Sequence, residues 1–258
     1  MNTAKFLTSG AAALAGALLL AAPAFAQETT LTGDTIPTEG GDLVIHPIMH
    51  ATFAMSYGGQ TIDVDPTGGA AAFEGLPTPD LILITDIHPD HFDPETIAAA
   101  AGEGTAIVAP QAVYDMLPTE WQGRVTVLNN GDTETVADIQ VEAIPAYNTT
   151  EDRLQFHPMG RGNGYVVTLG DTRVYIAGDT EGVPEMRALQ DIDVAFIPMN
   201  LPYTMTPEQA ADAVLAFQPR IVYPYHYMGS DTQAFADLVH AGNPDIEVRL
   251  HDWYGGAQ

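Results

Sequence analysis

The stretch Leu81-Ile82-Leu83-Ile84-Thr85-Asp86-Ile87-His88-Pro89-Asp90-His91 decides the fold. Its first four residues form an apolar run that reads as a buried strand. The turn that follows carries four imidazole or carboxylate groups: Asp86, His88, Asp90 and His91. A strand ending in such a turn delivers them to the mouth of a sheet. Neutral nitrogen and anionic oxygen donors without sulfur suit a catalytic divalent metal.

Short β-like runs precede this strand. Residues 43–48, 51–57 and 61–64 read as strands, with Gly58-Gly59 as a hairpin turn. A Gly/Ala-rich loop spans residues 68–75. After the motif, residues 94–101 read as a helix, with Asp93 as N-cap and Pro94 in first position. Residues 106–109 read as a strand and 111–117 as a short helix. Residues 124–128 and 139–144 read as strands on either side of the turn Asn129-Asn130-Gly131-Asp132. The second half repeats the pattern loosely. A hairpin is expected at 164–177, strands at 194–198, 221–224 and 247–250, and helices at 186–189, 206–217 and 232–241, the second capped by Thr206. No short repeat or low-complexity linker interrupts residues 42–258, which read as one mixed α/β domain.

The first 26 residues read as a signal peptide. Lys5 supplies the positive start, residues 11–22 the apolar segment, and Ala24-Phe25-Ala26 the cleavage site. A membrane anchor is the alternative, but the apolar run is short for a span of about 20 residues. Residues 27–41 read as a loose polar lead. The chain contains no Cys, so neither a disulfide nor a thiolate ligand is available. The expected product is an exported, periplasmic protein whose fold rests on its core.

Lys5 is the only lysine and leaves with the leader. The rest carries seven arginines against 34 acidic residues, so its formal charge is seven minus 34, or −27. Such a surface repels nucleic acid and anionic membranes. It fits either adaptation to salty water or a cationic partner. An anionic substrate would need local positive charge, with metal ions as the obvious source.

Asp86-x-His88-x-Asp90-His91 resembles the metal-binding signature of the metallo-β-lactamase superfamily, His-x-His-x-Asp-His, with Asp86 where the first His usually stands. Six further segments extend the likeness to a bacterial branch similar to the ascorbate-phosphate lactonase-like hydrolases. They are Ala146-Tyr147-Asn148, Phe156-His157-Pro158, Ala177-Gly178-Asp179-Thr180, Pro184-Glu185-Met186, residues 199–205 and Tyr223-Pro224-Tyr225-His226-Tyr227. The resemblance implies a four-layer αββα sandwich and a dinuclear metal centre. One metal would take Asp86, His88 and His157, the other Asp90, His91 and His226, with Asp179 bridging. Asn148 competes with His157 for the third position and is assigned an orienting role. His50 and Asp65 are expected to orient ligands or water.

The resemblance further implies two zinc ions and a bridging hydroxide that attacks a carbonyl or phosphoryl centre, with Asp90 orienting it and passing on its proton. The carboxylate of Asp86 adds oxygen character that favours iron or manganese at its site. Arg161, Asn200, Tyr203 and Tyr227 are the expected contacts to a small-molecule substrate, with Arg161 clasping a carboxylate or phosphate. A β-lactam leads among cyclic amides and esters. Lactone and phosphodiester cleavage are alternatives, as is a non-catalytic periplasmic binding protein.

Overall fold

A computed structural model describes Met1 and residues 30–255. The expected leader and its cleavage point after Ala26 lie outside the described residues, as do residues 256–258.

Two seven-stranded sheets pack face to face. The first holds, in chain order, β1 (Asp34–Thr38), β2 (Gly41–Met49), β3 (Thr52–Tyr57), β4 (Gln60–Val64), β5 (Leu81–Leu83), β6 (Ala106–Ala109) and β7 (Val125–Val127). The second holds β8 (Thr133–Val136), β9 (Ile139–Ala146), β10 (Gly162–Leu169), β11 (Thr172–Ile176), β12 (Val194–Pro198), β13 (Ile221–Tyr225) and β14 (Glu247–Val248). In each sheet the first four strands are antiparallel, and parallel strands follow. This is the physical content of the loose repeat between the halves.

The apolar run of the motif strand follows from its place. Side chains alternate across a strand. Leu81 and Leu83 enter the core between the sheets, with Val141, Val167 and Phe196 from the opposite side. Ile82 and Ile84 face outward against Ile97 and Val113. Those two residues belong to α1 (Pro94–Ala100) and α2 (Gln111–Tyr114). A strand covered on both faces has no position for a polar side chain. The second sheet is coated in the same way by α5 (Pro207–Phe217) and α6 (Thr232–Gly242), through Ala210, Val214, Phe235 and Val239. The result is the expected αββα sandwich. Phe53 stacks on Phe196 across the interface at 4.3 Å between centroids. Truncating either to Ala would cost about 3–5 kcal/mol.

The expected helix caps form. The Asp93 side chain accepts from Glu95 N, and Thr206 and Gln209 make a reciprocal capping box. Two expectations need correction. The lead at 27–41 is not loose throughout: β1 pairs antiparallel with β2 over Asp34–Thr38. Only Ile36 of β1 is buried, so the strand lacks the alternation that would reveal it. The strands expected on either side of the turn 129–132 form, but a further strand, β8, stands between that turn and β9. The turn carries the chain from β7, the edge of the first sheet, to β8, the edge of the second. Of the shorter elements, α3 (Thr119–Gln122) had no sequence signal, and α4 (Pro184–Arg187) starts two residues before its expected position.

Candidate metal centre

The expected ligands gather at one end of the sandwich, beyond the carboxyl ends of the parallel strands, where open sheets leave a crevice. The Asp86–His91 turn follows β5, Asp179 follows β11, and His226 follows β13. His157 comes from the long loop between β9 and β10. Three residues here hold left-handed backbone: His50 (φ 57), Asp65 (φ 44) and His226 (φ 47). Such conformations persist in non-glycine residues only where surrounding structure enforces them. The enforcement is visible in His226 N donating to His50 O at 3.1 Å and Asp65 N donating to Leu83 O at 2.9 Å.

Asp179 sits at the centre. Its Oδ2 lies 3.0 Å from His157 Nε2 and 3.3 Å from His91 Nε2, and its Oδ1 lies 3.3 Å from His226 Nε2. All three ring nitrogens are buried and make no hydrogen bond, and neither does Asp179 Oδ1. Buried polar atoms without partners are costly and rare. Lone pairs that approach one another without bonding are aimed at shared points, which is the arrangement a cation completes.

Around Asp179 the donors fall into groups. Asp86, His88 and His157 form one, with His88 Nδ1 at 3.1 Å and His157 Nε2 at 3.7 Å from Asp86 Oδ2. His91, Asp179 and His226 form the second. Asp90 Oδ2 joins it at 3.3 Å from His226 Nε2 and 4.0 Å from His91 Nε2. All seven expected ligands are therefore brought together. The sulfur-free nitrogen and oxygen set fits divalent zinc, iron or manganese.

The far sides of the His91 and His157 rings are held, while His226 Nδ1 is buried without a hydrogen-bond partner. His91 Nδ1 is 2.8 Å from Asp65 Oδ2 and 3.0 Å from Thr85 Oγ1, while Thr85 N donates to Asp65 Oδ1. His157 Nδ1 lies 3.1 Å from Tyr203 O and 3.3 Å from Asn148 Nδ2. Asn148 Nδ2 also donates to Tyr203 O and Arg153 O, so it fixes the loop that presents His157. His50 Nε2 reaches Asp90 Oδ2 at 3.2 Å, and its Nδ1 meets Tyr254 Oη at 2.7 Å. Asp65, Asn148 and His50 thus each contact a side chain of the candidate centre, and His50 also groups with Asp90 and His226 as a third set able to hold an ion.

Electrostatics follow from the crowding. Burial opposes charge on Asp179, yet His226 and His91 hold its pKa well below the ordinary carboxylate range. Burial opposes charge on His91 too, yet Asp179 and Asp65 raise its pKa well above the usual imidazole value. The Asp86 carboxyl is held low against burial by the adjacent His88 ring and by the Arg161 guanidinium that donates to it. Burial lowers the pKa of His50. The centre favours positive charge, whether proton or metal.

Two expected substrate contacts are corrected. Arg161 does not face the cavity; its Nε and Nη2 donate to Asp86 Oδ1 and Oδ2 at 3.0 and 2.7 Å, and Nη2 also donates to Phe156 O. Tyr227 is buried, with its hydroxyl donating to His251 O and accepting from Trp253 N. Asn200 and Tyr203 do line the cavity above the centre. Sequence reasoning missed Tyr254, Met49, Phe156 and Met228, which line it as well. Nothing in their local sequence sets them apart from ordinary apolar residues.

A paired nitrogen and carboxylate centre at the mouth of an αββα sandwich defines a metal-dependent hydrolase of the metallo-β-lactamase type. The sequence profile of the Beta-lactamase superfamily domain matches residues 45–226, and the chain belongs to that superfamily. A UPF0173 metal-dependent hydrolase of Thermococcus onnurineus is 35% identical over 205 residues, covering 74% of this chain and 89% of the relative. One from Lysinibacillus sphaericus is 30% identical over 215 residues, covering 77% and 92%. The crystal structure of a protein named for metal-dependent hydrolysis, from Parabacteroides distasonis, superposes with a TM-score of 0.78 at 42% identity, covering 86% of this chain and 99% of that one.

Proposed function

We propose that this hydrolase works with two divalent metal ions, zinc in the simplest case, and cleaves a carboxylic ester or amide bond, a cyclic one first among them. The observation that carries the reading is Asp179, whose carboxylate lies between His157 of one group and His91 and His226 of the other, with all three Nε2 atoms buried and without a hydrogen bond. Ions held there would acidify a water and polarise the substrate carbonyl.

The remaining work falls to side chains. Asp90 has 44% of its side chain exposed at the cavity floor, so it can both touch bound water and accept its proton. His50, anchored by Tyr254, holds Asp90 Oδ2 toward that position. As the water oxygen bonds to the carbonyl carbon and the leaving group departs, the proton on Asp90 goes to the leaving oxygen or nitrogen. Asn200 and Tyr203 stand over the cavity to orient the substrate. A β-lactam belongs to this bond class, but Arg161, the cation expected to clasp its carboxylate, is committed to Asp86. The leader-like pattern of residues 1–26 supports reading the enzyme as exported to the periplasm.

The test is metal analysis of the purified mature chain by mass spectrometry, followed by a panel of lactones, β-lactams, carboxylic esters and phosphodiesters. About two metals per chain and ester or lactone turnover abolished in His88→Ala are expected. Less than one metal per chain, or turnover confined to phosphodiesters, would sink the reading.

A further inference from the structure

The cavity over the metal centre has a volume of about 690 Å³ and two unlike zones. Its floor is the polar centre already described. Its walls are mostly apolar, with Met49, Pro89, Phe156, Tyr203, Met228 and Tyr254 beside the polar Thr67 and Asn200. Met49, Tyr203 and Met228 are 41%, 44% and 59% exposed. Large apolar side chains gathered around one opening mark a surface built to be covered. Methionines are flexible and polarizable, so they mould to apolar groups of differing shape.

The same walls lack any cation. Among the described residues, no arginine lines this cavity, and no lysine follows Lys5 in the chain. The two arginines of the nearby loop are both committed elsewhere. Arg161 is bound to Asp86, and Arg153 Nη1 donates to Glu181 Oε1, Thr204 O and Gln209 Oε1. The surrounding protein is strongly acidic, and Asp90 itself opens onto the cavity. An anionic arm entering here meets repulsion and no clasp. An uncharged hydrocarbon arm meets methionine and aromatic walls.

We infer that the substrate is a neutral ester or lactone carrying an apolar arm, with the scissile carbonyl on the metal floor and the arm along the Met49–Tyr203–Met228 rim. This rests on the proposed ester-hydrolase reading and narrows it against substrates whose arm carries a carboxylate.

The experiment uses the metal-loaded mature enzyme and three γ-lactones bearing a butyl, an octyl or an ω-carboxyoctyl side chain. The octyl lactone is expected to exceed the butyl lactone at least tenfold in kcat/KM, and the carboxylated one to fall back by tenfold or more. Met228→Glu, a change at an exposed position, should erase the octyl advantage, and Met49→Gln should reduce it. Equal kcat/KM for butyl and octyl, or a preference for the carboxylated lactone, overturns the inference. Calorimetry with unreactive butyl and octyl γ-lactams gives a readout independent of turnover. If only phosphodiesters are cleaved, the ester reading falls; tenfold tighter octyl binding then still sustains the apolar rim, and equal binding overturns it.

Discussion

Arg161 grips both oxygens of Asp86, with Nε on Oδ1 at 3.0 Å and Nη2 on Oδ2 at 2.7 Å. Asp86 stands where the superfamily signature has histidine, and its side chain is only 4% exposed. A carboxylate oxygen has two lone pairs. Oδ2 therefore keeps one toward His88 and His157 while the other accepts from Arg161. The guanidinium balances the charge that the aspartate adds, so the pair presents one oxygen donor of nearly neutral overall charge in place of a neutral imidazole nitrogen.

Removing either member should expose this dependence. Arg161→Ala leaves a buried carboxylate uncompensated, and breaking buried pairs in this way costs about 3–5 kcal/mol. Asp86→His alone strands Arg161 and should also destabilise. The double change Asp86→His with Arg161→Ala should recover much of the loss. Thermal unfolding of the four proteins, with metal content measured on each, tests the coupling. Additive losses in the double variant would show that the two residues act independently.

Asp65 is fully buried and spends its oxygens on His91 Nδ1, Thr85 N and Thr85 Oγ1. It fixes the ring so that Nε2 faces Asp179. Asp65→Ala should lower metal affinity about 10–100-fold, the usual cost of losing the partner behind a ligand histidine. Competition against a chromogenic chelator measures this directly. An unchanged affinity would mean that packing alone orients His91.

Much of the centre was readable because its donors sit at strand ends, where a few adjacent residues carry the whole signal. Asp86, His88, Asp90 and His91 announce themselves in this way, and Asp179 and His226 follow apolar strands. The role of Arg161 was not readable, because its partner Asp86 lies 75 positions away in sequence. Tyr227 misled for a similar reason: flanking aromatics say nothing about which side of a loop is buried. The strand β1 escaped notice because Ile36 is its only buried residue. The apolar rim was invisible because Met49, Phe156 and Met228 converge only in three dimensions.

Chelation should soften the protein measurably. Without a cation, Asp86, Asp90 and Asp179 converge with only histidines and Arg161 to balance them. A ligand that binds only the native state at a hundred times its Kd stabilises by about 2.7 kcal/mol per site. For a domain of this size that is a fall of roughly 5–10 °C in Tm for each site emptied. Scanning fluorimetry before and after chelation, with zinc, manganese and ferrous iron restored separately, tests it and ranks the metals. No change in Tm on complete removal would contradict a centre that the fold depends on.

Asp63 offers a pH test away from the metal centre. It lies on the outward face of β4, it is 1% exposed, and neither carboxylate oxygen has a hydrogen-bond partner. Burial pushes its pKa up to about 7 from 3.8. The native state therefore holds this proton more tightly than the unfolded chain does. The contribution is fully present below about pH 4 and is lost progressively as pH rises toward 7. A shift of about three units corresponds to roughly 4 kcal/mol as an upper bound. Asp63→Asn removes the ionisation while keeping the shape, so it should raise stability at pH 8 by about 2–4 kcal/mol and change little at pH 4. Denaturant unfolding of both proteins across this range checks the prediction. If the difference between them stays constant with pH, Asp63 does not titrate as its burial requires.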